Sequence, residues 1–127
     1  MNNRTLIYAR VSQWTKPDKL NKQLDKVREH CKIHNYNVIH EISEITNERR
    51  SNRSAIRTIK DMIDQNKVDL VVSENRNILF HNDEDLEEFV KYADAKGVLV
   101  VTETELLNKM LHLPRQLQSN HHAMKFY

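Results

Sequence analysis

An arginine and a serine close an apolar run near the start of the chain, in the sequence Thr5-Leu6-Ile7-Tyr8-Ala9-Arg10-Val11-Ser12. The run is rich in β-branched and aromatic residues, which predicts a buried strand. Residues two apart in a strand point to the same face, so Arg10 and Ser12 place a cation beside a hydroxyl. Such a pair can hold a phosphate and attack it. The other interpretation is that Arg10 is solvated and Ser12 starts a turn.

Further polar residues follow two later apolar segments. Three arginines, Arg49, Arg50 and Arg53, lie in one polar stretch, and Asn75 and Arg76 lie in another. Arginine offers a planar fork of donors that matches phosphate oxygens. A serine among arginines, with no histidine partner, does not resemble a hydrolase triad. It can instead attack a phosphodiester and form a covalent phosphoserine, a reaction that requires no metal.

Hydrophobic periodicity indicates four strands that alternate with four helices. The predicted strands span residues 5–12, 36–44, 68–72 and 98–101. The predicted helices span residues 17–34, 53–65, 83–95 and a last segment from about 102 or 104 to 114. The stretches 44–53 and 73–82 have no apolar period and are interpreted as loops.

Capping residues support three of these helix boundaries. Ser51 or Asn52 is expected to cap the second helix, and Asn82 or Asp83 the third. Gly97 is expected to end the third helix, because glycine tolerates the left-handed conformation that often follows a helix.

Strands that alternate with helices predict an α/β fold with a mostly parallel sheet covered by helices on both faces. Ligands of such sheets bind at the carboxyl ends of the strands. Ser12, the loop at 49–53 and the pair Asn75-Arg76 all follow such ends. This convergence favours the chemical interpretation of Arg10 and Ser12.

Size and composition exclude several classes of protein. The 127 residues suit one domain, and 20 basic against 18 acidic residues give a net charge of +2, too small to indicate nucleic acid by itself. The single cysteine, Cys31, allows no internal disulfide, and neither a signal peptide nor a membrane-spanning run is present, so a cytoplasmic location is expected. Cys31 and His34 have metal-like spacing but no second pair, and no glycine-rich nucleotide motif occurs. We therefore expect no metal and no cofactor.

The residues also carry a resemblance to a known family. Tyr8-Ala9-Arg10-Val11-Ser12 resembles the opening of the serine recombinase catalytic domain, the resolvase and invertase family. Leu20-Asn21-Lys22-Gln23-Leu24 resembles its next signature, and Arg53 resembles the arginine that follows its mobile loop. Val71-Val72 with Asn75-Arg76 resembles the apolar strand that leads to an aspartate-arginine pair. The resemblance covers about residues 4–105.

The resemblance implies a flavodoxin-like sheet, DNA as substrate and a covalent 5′-phosphoserine intermediate. It implies Ser12 as the nucleophile, with the scissile phosphate held by Arg10, Arg53 and Arg76. Further DNA or phosphate contacts are expected from Arg49, Arg50, Gln23 and Asn75. The family also leads us to expect a homodimer or a higher oligomer.

Four departures from the family pattern are visible. Asn75 stands in place of the aspartate, and Leu79 in place of a second arginine. Thr46-Asn47 lacks the expected glycine, and two extra residues separate Ser12 from the first helix. Asn75, Leu79 and the expected lack of a DNA-reading domain favour an alternative function, a non-catalytic resolvase-like module that regulates or binds a DNA-associated partner. A domain that binds a small ligand or phosphate is a third possibility.

The end of the chain and two apolar features complete the sequence-based expectations. Residues 1–113 are expected to form the domain, and residues 114–127 a loosely ordered tail too short for a helix-turn-helix. The apolar stripe of Leu106, Leu107, Met110 and Leu111 either packs on its own sheet or forms a subunit interface. Trp14 either stacks on a base or packs over the first helix.

Overall fold

The computed structural model describes residues 3–47 and 52–112. The strands are β1 (Arg4–Val11), β2 (Asn37–Ile45), β3 (Leu70–Val72) and β4 (Leu99–Val101). The α-helices are α1 (Asp18–Ile33), α2 (Ser54–Asp64), α3 (Arg76–Leu79) and α4 (Asp83–Ala95). A 3₁₀ helix follows at Leu107–His112.

The strands form one parallel sheet in the order β2-β1-β3-β4, which confirms the predicted fold class. The chain passes from β1 to β2 on one side, and then returns to place β3 on the other side of β1. The gap between the carboxyl ends of β1 and β3 is therefore the point where the strand order reverses. Open α/β sheets bind their ligands at such a point.

Alternating side chains of β1 serve two separate cores. Leu6 and Tyr8 pack with α2 and α4 on one face of the sheet, whereas Ile7 and Ala9 pack with α1 on the other. All four are fully buried. This alternation is the period of two that a strand imposes, and it confirms the prediction of helices on both faces.

Helix α3 lies inside a stretch that the sequence pattern predicts to be irregular. It has four residues, too few for an apolar period to be visible. Asn75 caps it, because its side-chain oxygen accepts hydrogen bonds from the N–H groups of Asn77 (3.0 Å) and Ile78 (3.3 Å). The interpretation of residues 73–82 as a loop was therefore wrong over this turn.

The last helix was predicted as α-helical and is a 3₁₀ helix instead. The difference follows from Asn108, which is buried and binds the backbone of the neighbouring strand. Its side chain accepts a hydrogen bond from Val100 N–H (2.7 Å) and donates one to the carbonyl of Val98 (3.1 Å). These bonds hold the segment against β4, with Leu107 in the core. The apolar stripe thus packs on its own sheet.

The remaining boundary predictions have mixed outcomes. Asn82 caps α4 and Gly97 follows that helix with a φ of 75°, both as predicted. Helix α2 begins after Arg53 without a side-chain cap, so Asn52 does not cap it. Ser51, Arg49, Arg50 and the tail at 114–127 lie outside the described residues. Across the two described ranges, no helix has the length and apolar character needed to cross a membrane.

Candidate active site

Gln23 fixes the carboxyl end of β1. The pairing of β1 with β3 ends at Ile7, so the backbone of Arg10 has no strand partner on that side. The buried amide of Gln23 accepts a hydrogen bond from Arg10 N–H (2.9 Å) and donates one to the Arg10 carbonyl (3.2 Å). Buried backbone groups need such partners. Gln23 therefore positions the strand end rather than presenting its amide to solvent.

Arg10 extends from this strand end to α3. Its Nε donates to the carbonyl of Ile78 and its Nη2 to the carbonyl of Asn77, each at 3.1 Å. Its Nη1 makes no further hydrogen bond within the described residues, so this guanidinium keeps donors for a ligand. Arg10 is half-buried and anchored, not merely solvated.

Arg53 is almost completely buried, with 2% of its surface exposed. Its Nη2 donates to the hydroxyl of Tyr8 (2.9 Å) and to the carbonyl of Leu79, and its Nε lies 3.3 Å from a carboxylate oxygen of Glu44. The Tyr8 hydroxyl in turn donates to Glu44. Burial, followed by the hydrogen bond to Glu44, raises the pKa of Tyr8, so the phenol stays neutral.

Arg76 begins α3 and is bound by acidic side chains. Its Nη2 lies 2.6 Å from Glu105, and its Nη1 lies 3.7 Å from Asp83. The hydrogen bond to Glu105 is the main cause that raises the pKa of Arg76. A phosphate that binds Arg76 has to compete with these carboxylates.

Ser12 opens a tight turn directly after β1. Thr15 N–H donates to the Ser12 carbonyl (3.1 Å), and the hydroxyls of Ser12 and Thr15 lie 2.8 Å apart. Ser12 is half-buried, and the contact with Thr15 orients its hydroxyl. Trp14, in the same turn, is 84% exposed, which excludes the alternative that it packs over the first helix.

The structure brings some of the predicted site residues together and separates others. Arg10 and Arg53 converge on the successive carbonyls of residues 77, 78 and 79 at the end of α3. Arg76, at the opposite end of this short helix, is bound to Glu105. The side-chain oxygen of Asn75 caps α3 and is therefore not directed at a ligand. Leu79, where the resemblance expects an arginine, is fully buried in the core.

Cys31 and His34 are the two residues whose spacing resembles that of metal ligands. Cys31 is buried against the sheet, and burial raises the pKa of its thiol to about 11, which disfavours the thiolate that metals bind. The His34 ring stacks on Tyr36 and lies 4.4 Å from the His30 ring, measured between centroids. In the described part of the chain, no group of three His, Cys, Asp or Glu side chains could hold a metal ion.

Three contributors were missed from the sequence. Glu44 lies opposite Arg10 in the register of β1 and β2. In the sequence, an acidic residue at the end of a strand and close to several arginines could have indicated this role. Tyr8 precedes Arg10 by two residues and therefore shares its face. Thr15, three residues after Ser12, has the spacing of a hydroxyl that closes a turn.

Solved structures of serine recombinases share this fold. A resolvase family site-specific recombinase from Streptococcus pneumoniae aligns over 96% of this chain and 85% of its own, with a TM-score of 0.75 and 16% identity. The C-terminal catalytic domain of ISC1926 TnpA, an IS607-like serine recombinase, aligns over 80% and 68%, with a TM-score of 0.72 and 20% identity. A serine recombinase from Sulfolobus solfataricus aligns over 80% and 69%, with a TM-score of 0.68 and 24% identity.

Sequence comparison identifies the family. No curated protein sequence matches the chain. The family model described as "Resolvase, N terminal domain" matches residues 5–121, which include all of β1 except its first residue, together with the Ser12 turn and α3. The chain therefore belongs to the resolvase N-terminal domain family.

Proposed function

We propose that this domain cleaves and rejoins DNA strands through a covalent bond to Ser12. One observation carries the proposal: Arg10 is anchored on α3 with Nη1 available, two residues before the oriented hydroxyl of the half-buried Ser12. The pair lies where the strand order reverses, which is the binding position of this class of sheet.

The proposed reaction exchanges one phosphate ester for another. The Ser12 oxygen forms a bond to phosphorus, and the bond from phosphorus to the 3′ oxygen of the DNA breaks. The serine loses its proton to solvent, and the departing oxygen takes one up to become a 3′-hydroxyl. The product is a 5′-phosphoserine, and attack by a 3′-hydroxyl on this ester rejoins a strand.

Cations at the site lower the barrier by stabilising the charge that develops on the phosphate oxygens. In our proposal, Arg10 binds the phosphate directly, because its Nη1 group is available to donate hydrogen bonds. Arg76 contributes when phosphate replaces Glu105 as its partner. Arg53 contributes through its field, since its side chain is 1% exposed and bound to Glu44. Gln23 and Asn75 act indirectly, by holding the strand end and α3.

Covalent trapping tests the proposal. The protein is incubated with fragmented DNA from its own source, denatured with detergent and examined for protein that migrates with DNA. We expect an adduct from the parent chain and none from Ser12→Ala, because the alanine variant has no nucleophile.

Ser43→Ala serves as the matched control. Ser43 lies exposed on β2 and pairs with Ala9, on the sheet face opposite to that of Arg10 and Glu44, so the variant makes the same chemical change outside the proposed contacts and should form the adduct normally. An adduct that persists in Ser12→Ala would contradict the assignment of the nucleophile.

A second candidate function is a non-catalytic module that binds a DNA-associated protein. Leu79 favours it, because this fully buried side chain replaces a cation that the resemblance expects. The ion pair between Arg76 and Glu105 favours it as well. Folded parent protein that forms no adduct on any DNA, but is captured with a recombinase partner, would support this candidate.

The remaining expectations belong to the same proposal. We infer that DNA binds at the carboxyl ends of the strands. We also infer that the chain acts as a homodimer or larger assembly, and that it works in the cytoplasm. Arg49 and Arg50 are proposed as additional DNA contacts, since the sequence places these two cations between the end of β2 and the start of α2.

A further inference from the structure

Trp14 is the single tryptophan of the chain and, at 84%, is the most exposed of the large hydrophobic residues that the structure describes. The described fold covers little of its ring. An aromatic ring left in water beside a polar site is an informative exception to burial, because aromatic side chains are usually found largely inside a protein.

The turn that carries Trp14 is held on both sides. The hydroxyl pair and the backbone bond between Ser12 and Thr15 close it. Gln13 N–H donates to the side-chain oxygen of Asn47 (3.2 Å), and the Asn47 amide lies 3.4 Å from the side-chain oxygen of Gln13. The indole is therefore presented from a braced loop at the edge of the sheet, beside Ser12.

The distance from Ser12 sets what the ring can reach. Two residues span at most roughly 7 Å, and bases in a strand are spaced about 3.4 Å apart. Trp14 can consequently reach about two of the bases nearest to a phosphate that is bound at Ser12. Two exposed cations follow, Lys16 directly after the turn and Lys19 in the first turn of α1, and this combination of cations with an aromatic ring is typical of surfaces that bind unpaired bases.

We propose that Trp14 stacks on an unpaired DNA base next to the phosphate bound at Ser12. The inference rests on the proposed function for its substrate, but it does not require cleavage. Bases inside an intact duplex hide their faces in the stack, so Trp14 favours DNA in which the bases beside the phosphate are unpaired. It is a positioning residue that selects locally opened DNA.

Fluorescence tests this directly, because Trp14 is the only source of tryptophan emission. The Ser12→Ala chain is titrated with a mixed-sequence duplex and with the same duplex carrying a central mismatched bubble. Anisotropy of labelled DNA measures binding in parallel. We expect the bubble to quench Trp14 emission more strongly than the duplex does, because stacking on a base brings the two rings into contact.

Variants provide the second readout. Trp14→Ala should weaken binding to the bubble by about fivefold to a hundredfold, the range for losing one stacked base. Trp14→Phe should recover much of the affinity. Ile33→Ala, which removes a 68% exposed side chain at the end of α1, should leave binding unchanged.

The outcomes separate this inference from the proposed function. Quenching by the bubble, with no covalent adduct from the parent chain, would support stacking and reject cleavage. DNA binding with unchanged emission and unchanged affinity in Trp14→Ala would overturn stacking alone. Absence of DNA binding would overturn both, and emission that shifts with protein concentration in the absence of DNA would assign Trp14 to a contact between copies of the chain instead.

Discussion

Arg53 shows how one residue can be recognised correctly and still have an unexpected environment. Its position at the start of the second helix was predicted from the sequence to within one residue, whereas its near-complete burial was not. The guanidinium is enclosed by Tyr8, Glu44 and the ring of Phe80, which lies 5.4 Å from its central carbon. The side chain therefore links the strand end to α3 and stabilises the fold in addition to its proposed electrostatic role.

We expect Arg53→Ala to lower the free energy of unfolding by about 3–5 kcal/mol, because it leaves Glu44 partly buried without its cation. Arg57→Ala, on the exposed face of α2, should change it by less than about 0.5 kcal/mol. Urea unfolding followed by far-ultraviolet circular dichroism measures both, since the exposed Trp14 is a poor reporter of the core. Equal stability of the two variants would show that the buried contacts of Arg53 contribute nothing.

At this scale, short-range patterns predicted which residue types gather but not how they pair. Arg10 and Ser12 share a face because strands have a period of two. That Glu44 binds Arg53, and Glu105 binds Arg76, depends on packing between segments distant in sequence. Sequence spacing does not reveal such pairs. The ion pairs of Arg53 and Arg76 therefore could be identified only from the structure.

Helix α3 is the element on which the candidate site depends. Its last carbonyls anchor Arg10 and Arg53, its first residue is Arg76, and its cap is Asn75. A helix of one turn has little stability of its own, so the cap and these contacts must hold it.

Substituting the cap tests this dependence. Asn75→Ala should cost about 0.5–2 kcal/mol of unfolding free energy, because two backbone N–H groups lose their acceptor. Asn75→Asp, the residue that the family resemblance expects, should retain full stability, since a carboxylate is favourable at a helix start. Asn77→Ala makes the same change at an exposed position two residues later and should be nearly neutral. Equal losses from Asn75→Ala and Asn77→Ala in urea unfolding would show that the cap is not the cause.

Long periodic elements were predictable, and short ones were not. Helices α1, α2 and α4 begin and end within one or two residues of their predicted bounds, because each has three or more turns of apolar period. Helix α3 has one turn. The final segment had a helical apolar stripe, but the bonds of Asn108 to β4 decide its geometry.

The net charge of the whole molecule is only +2, so a general positive field cannot hold DNA. Binding has to come from local contacts at the carboxyl edge of the sheet. Local contacts and overall charge can be distinguished by the salt dependence of binding. Each phosphate contact releases its own counterions, whereas the total charge acts on the whole surface alike.

We therefore expect Arg76→Gln to reduce the slope of log affinity against log salt concentration by about 0.9, the value for one phosphate contact. Arg28→Gln, on α1, should leave the slope unchanged, because Arg28 is bound to Glu41 and Asp25 away from the site. Both variants lower the net charge from +2 to +1 (2 − 1 = 1), so the comparison removes total charge as a variable. Binding is measured by anisotropy in the Ser12→Ala background to prevent cleavage. An equal loss of slope in both variants would mean that DNA senses the overall charge of the protein, and would remove Arg76 from the proposed phosphate contacts.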